Sequence, residues 1–79
     1  MARDYYAEAK VLATKLAESG YGNWSEQLTD EIAGGATGTE IVMGLRWVLA
    51  QMLQEAGELP ENLRGEARGL HQGLDRLLR

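Results

Sequence analysis

Few residues of this chain are equipped for proton or metal chemistry. His71 is the only histidine, and Asp75 follows it one helical turn later, a spacing that offers two metal ligands from one face. A stable site takes three or four ligands, and Glu66 projects from another face, so a flanking surface histidine is the better reading. The absence of cysteine excludes disulfides and thiolate metal sites. Nucleophilic catalysis needs a hydroxyl held against a positioned base. Ser19 and Ser25 instead stand at expected helix ends, and Thr37 and Thr39 just before a helix, where hydroxyls serve as caps. The run Gly34-Gly35-Ala36-Thr37-Gly38-Thr39 has the form of a glycine-rich anion loop entering a helix. It lacks the lysine of a P-loop and any preceding strand, and reads better as a linker with a cap. The Asp-Ser-Leu attachment motif of carrier proteins is missing too. No catalytic residue, metal ligand set or cofactor site emerges, and the expectation is a protein that is not an enzyme.

Charge is the more informative property. The 79 residues carry eight Lys plus Arg and twelve Asp plus Glu, a net charge of −4 that argues against nucleic acid or an anionic membrane as partner. The imbalance is local. Residues 1–15 hold three bases and two acids, residues 46–79 hold five of each, and residues 16–45 hold five acids (Glu18, Glu26, Asp30, Glu31, Glu40) and no base. Such a run is usually solvated surface, but it also steers a basic partner and raises its association rate.

These residues must be positioned by helices. Apolar periodicity and Gly or Pro punctuation predict four, at about 4–18, 24–33, 38–56 and 60–78. In the first, Tyr5, Ala9, Leu12 and Leu16 share a face, and Ser19-Gly20 ends it. In the second, Asn23 is the expected N-cap and Trp24, Leu28 and Ile32 form the inner edge. In the third, Thr37 and Glu40 are spaced as a capping box. Its apolar residues run nearly all round, which predicts a central position. Pro60 suits the first position of the fourth, whose inner stripe is Leu63, Ala67, Leu70, Leu74, Leu77 and Leu78. Short links favour antiparallel neighbours, so the expected fold is a single-domain, all-α antiparallel bundle of four helices. No stretch is long and apolar enough to span a bilayer, and the start leads into a polar helix rather than a secretory signal, so the expected location is cytoplasmic.

Two further features bear on partners. Gly65, Gly69 and Gly73 recur every fourth residue beside Arg64, Arg68 and Arg76, which makes either a tolerant solvated face or a close-contact row. Met43 and Trp47 lie one turn apart on the second face of the third helix. The favoured expectation is that another helix of the chain covers them. The alternative is an exposed aromatic anchor, the residue type that dominates interface hot spots.

The stretch Gly20-Tyr21-Gly22-Asn23-Trp24 continues through Leu28, Ile32 and Gly34-Gly35 to Ala36-Thr37-Gly38-Thr39-Glu40-Ile41 and Gly44-Leu45-Arg46-Trp47. This order resembles that of small all-helical bacterial proteins of toxin–antitoxin or contact-dependent toxin–immunity pairs, over roughly residues 5–53. The resemblance implies a cytoplasmic, stoichiometric inhibitor that binds and blocks one cognate toxin. With the acidic segment, it leads to an expected role as a non-enzymatic immunity protein for a basic toxin or effector. Trp24, Glu26, Asp30, Glu31, Glu40, Met43 and Trp47 are the candidate partner-binding residues. The other expectation is a self-associating adaptor, a homodimer that covers Met43 and Trp47 or pairs the glycine row.

Overall fold

The computed structural model describes residues 3–79 and contains four α-helices: α1 (Tyr5–Glu18), α2 (Gly22–Gly34), α3 (Gly38–Glu55) and α4 (Glu61–Leu77). The fold is the all-α bundle that the periodicity predicts.

Local chemistry sets most helix ends. The Asp4 carboxylate accepts the Ala7 amide at 3.0 Å and opens α1. At its other end Gly20 takes φ +89°, the Tyr21 amide donates to the Leu16 carbonyl at 2.8 Å and the Gly20 amide to Ala17 at 3.4 Å. That is a Schellman closure, and a residue with a Cβ would be strained at position 20. α2 starts earlier than predicted, because Tyr21 rather than Asn23 takes the cap position. The Tyr21 carbonyl accepts the Trp24 and Ser25 amides at 3.1 Å each, and its hydroxyl donates to the Glu58 carbonyl at 3.2 Å. Thr37 caps α3 as expected, accepting the Glu40 amide at 3.1 Å, while the Glu40 carboxylate reaches back to the Ala36 amide at 3.2 Å. Pro60 is the N-cap of α4 rather than its first residue, and its carbonyl accepts the Arg64 amide at 2.9 Å.

The helices form a ring in which α1 and α3 each pack on α2 and α4. The first and last helices run antiparallel: Lys15 reaches Glu66 at 2.8 Å while Tyr5, at the start of α1, lies against Gly73 near the end of α4. Likewise Arg46 of α3 meets Asp75 of α4 at 2.9 Å, and Arg64 donates to the Ala56 and Gly57 carbonyls beyond α3, both at 2.9 Å. The radius of gyration, 11.6 Å, is that of a compact body of this length.

All the buried side chains are hydrophobic among the described residues, and no buried side-chain polar atom lacks a partner. Val42, Leu45, Val48, Leu49 and Met52 of α3 face Leu12 and Leu16 of α1, Trp24 and Leu28 of α2, and Leu63, Leu70 and Leu74 of α4 across this core. The expected central position of α3 holds only in that it lines the core along its length. It is not enclosed, because in a ring of four every helix keeps an outward face. Leu77 departs from its expected inner place. It lies at the open end of the bundle beside Tyr6 and Val42, 54% exposed. Among the described residues no helix is long and apolar enough to cross a membrane.

Candidate docking surface

The outward face of α3 carries Met43 and Trp47, which are 52% and 59% exposed. No neighbouring helix covers them, which corrects the favoured expectation. The reason is angular: residues 43 and 47 fall opposite the buried row 45, 48, 49 and 52, and both packing neighbours of α3 sit toward that row. Trp24 is corrected in the other direction. It is only 9% exposed, packed in the core from the inner edge of α2, and has little ring surface to offer a partner. Trp47 is the tryptophan whose ring stands exposed.

On its α2 side the aromatic face is bordered by acid. Glu31, half-buried, lays its carboxylate over Gly44 of α3, and its Cδ lies 2.7 Å from where a Cβ at position 44 would stand. A glycine is needed there for the acid to lie flat against the helix. Glu26 and Asp30 are exposed on the outer side of α2, and Glu40 is exposed in the first turn of α3. Among the described residues, none of Glu18, Glu26, Asp30, Glu31 and Glu40 takes part in an ion pair. The acidic segment is thus electrostatically uncompensated on the folded surface.

On its α4 side the same face is bordered by base. Arg46 and Arg79 both bind Asp75, at 2.9 and 2.8 Å, so among these three side chains two are basic and one is acidic. These hydrogen bonds, Arg79 first and Arg46 second, hold the Asp75 carboxyl below the usual carboxylate range. Arg68 lies exposed further along α4. Sequence reasoning missed this cluster. The Asp75–Arg79 spacing of one turn was visible, but Arg46 stands 29 residues from Asp75 and joins only through packing.

The glycine row divides. A Cβ at Gly65 or Gly69 would meet nothing within 4 Å, whereas one at Gly73 would stand 2.5 Å from Tyr5 Cε1 and 2.6 Å from an Arg3 guanidinium nitrogen. Gly73 is a close-contact position, but the contact is intramolecular, with the start of α1. The loop before α3 is likewise filled from within, since the Glu40 carboxylate occupies the Ala36 amide. His71 is half-buried, and the acid one turn away is engaged by two arginines. Among the described residues no three His, Asp or Glu side chains gather as a metal site.

Two concavities lie away from this face. A groove of about 340 Å³ runs between α1 and α4 past Val11, Glu66 and Gly69, and a depression of about 470 Å³ lies among Tyr5, Tyr6, Val42 and Leu77. Neither brings a nucleophile to a base. The arrangement suits recognition by surface contact, with an apolar centre and rims of opposite sign. No known family model, curated protein or solved structure matches this chain.

Proposed function

We propose that the chain is a non-enzymatic protein-binding module whose α3 face and adjoining acidic α2 flank receive a basic protein surface. The observation that carries this reading is Trp47, exposed beside Met43 at the centre of a face whose neighbouring acids have no ion-pair partner among the described residues. A large aromatic ring held on a rigid helix supplies contact area at small entropic cost. Uncompensated carboxylates attract a basic surface and accelerate encounter. The finer reading, supported by the family resemblance over residues 5–53, is a stoichiometric inhibitor that neutralises a basic bacterial toxin or effector.

The test is affinity capture with the wild-type protein, Trp47→Ala, and the charge-reversed variant Glu26→Lys, Asp30→Lys, Glu31→Lys. The expected result is a basic protein retained in one-to-one complex by the wild type. Each variant should weaken it at least about tenfold, corresponding to about 1.4 kcal/mol. Undiminished binding and protection by the charge-reversed variant would remove the proposal.

A further inference from the structure

We propose that the α3 face also receives a second copy of this chain, as a parallel two-fold dimer with Met43 and Trp47 at its axis. The inference rests on the reading of that face as a docking surface. It commits to an occupant because the two rims are complementary to each other. Glu31 lies on the α2 side against Gly44, next in sequence to the exposed Asp30, and the side chains of Arg46, Asp75 and Arg79, two bases to one acid, lie on the α4 side. Both rims stand at the same height along α3, since Glu31 lies over Gly44 and Arg46 is two residues further on.

Two faces can be apposed by a two-fold axis in the plane of contact in two ways, and charge separates them. An axis along α3 makes the two α3 helices parallel and exchanges left for right. The acidic rim of each copy then meets the basic rim of the other, twice and at matching height. An axis across α3 makes the helices antiparallel and sets acidic rim against acidic rim. An isologous interface doubles every contact, so the first arrangement gains two complementary contacts where the second incurs like-charge repulsion. The dimer covers the same face as a protein partner, so the two modes of binding exclude each other, and dissociation releases the face.

The purified wild-type protein tests this without any partner. Sedimentation equilibrium should show a dimer that grows with concentration and weakens with salt, and Trp47→Ala should weaken it at least about tenfold. A protein that stays monomeric up to millimolar concentration would overturn the proposal. Orientation is read from one engineered thiol, since the chain has no cysteine. Gln54 is exposed two turns beyond Trp47, and Gln54→Cys alone should oxidise to a disulfide-linked dimer if the helices run parallel. Cross-linking of Gln54→Cys only to Glu40→Cys, and not to itself, would mean antiparallel packing and refute the charge argument. A third arm reverses each rim separately. Asp30→Lys with Glu31→Lys, and Arg46→Glu with Arg79→Glu, should each be monomeric alone and pair when mixed, whereas no pairing on mixing counts against the proposal. A monomer that still captures a basic protein would defeat only the dimer. A dimer that captures none would defeat only the proposed function.

Discussion

Replacing the three α4 glycines one at a time should split them by sign. Each glycine inside a helix costs about 1 kcal/mol relative to alanine, because it leaves more backbone freedom to be lost on folding. At Gly65 and Gly69 an added methyl meets nothing within 4 Å, so Gly65→Ala and Gly69→Ala should each recover most of that amount. For a domain of this size 1 kcal/mol corresponds to roughly 4–8 °C in Tm. At Gly73 the same methyl would stand 2.5 Å from Tyr5 Cε1, well inside van der Waals contact. The Arg3 guanidinium nearby is a flexible end and can move aside, but the Tyr5 ring is rigid and stacked under Arg3 at 4.9 Å. Overpacking of this kind costs roughly 1–3 kcal/mol, which cancels or exceeds the propensity gain. Gly73→Ala should therefore be neutral to about 2 kcal/mol destabilising. Thermal melts by circular dichroism at one protein concentration, with urea titrations for the free energies, measure all three. A Tm gain for Gly73→Ala equal to that of Gly65→Ala would refute the assignment of Gly73 as the seat of Tyr5.

Other outcomes follow from the same geometry. Trp24 and Trp47 should separate in acrylamide quenching: Trp47→Phe should leave a blue-shifted, protected emission from Trp24. Trp24→Ala should cost about 3–5 kcal/mol, against almost nothing for Trp47→Ala in the monomer. Loss of the Thr37 hydroxyl in Thr37→Ala should cost about 1 kcal/mol, and Thr37→Ser should restore it, since only the oxygen that accepts the Glu40 amide is at stake. The Asp75 carboxyl is held below its ordinary range in the fold, so the unfolded chain takes up that proton more readily. The stabilisation from Asp75 is present above the ordinary carboxylate range and lost as pH falls through the folded value. The Tm difference between wild type and Asp75→Asn should accordingly shrink on acidification, and a difference that stays constant to strongly acid pH would contradict the paired geometry.

Much of this was legible in the residues alone, for reasons that are local. Helix existence follows from apolar spacing, and the end of α1 from a glycine that alone tolerates φ +89°. The α3 cap follows from a hydroxyl and a carboxylate three residues apart. The acidic segment is a count along the chain, and its five acids form no ion pair among the described residues. The α2 boundary was misplaced because Tyr21 is held by a contact with Glu58, which no local pattern announces.

Function-bearing features depended on which faces meet. An outer apolar pair on α3 carries the same spacing whether a helix covers it or not. Only the ring arrangement, with two neighbours per helix, left Trp47 open and put Trp24 inside. The glycine row has one repeat in sequence and two fates in the fold, since only at Gly73 would a Cβ meet the start of α1. The basic rim requires Arg46 and Asp75 to approach across 29 residues. Composition and periodicity determine what a helix can bury, because they act over a few turns. Which surface stays free, and which charges border it, is decided by long-range packing that fills one core and leaves the remaining faces to water.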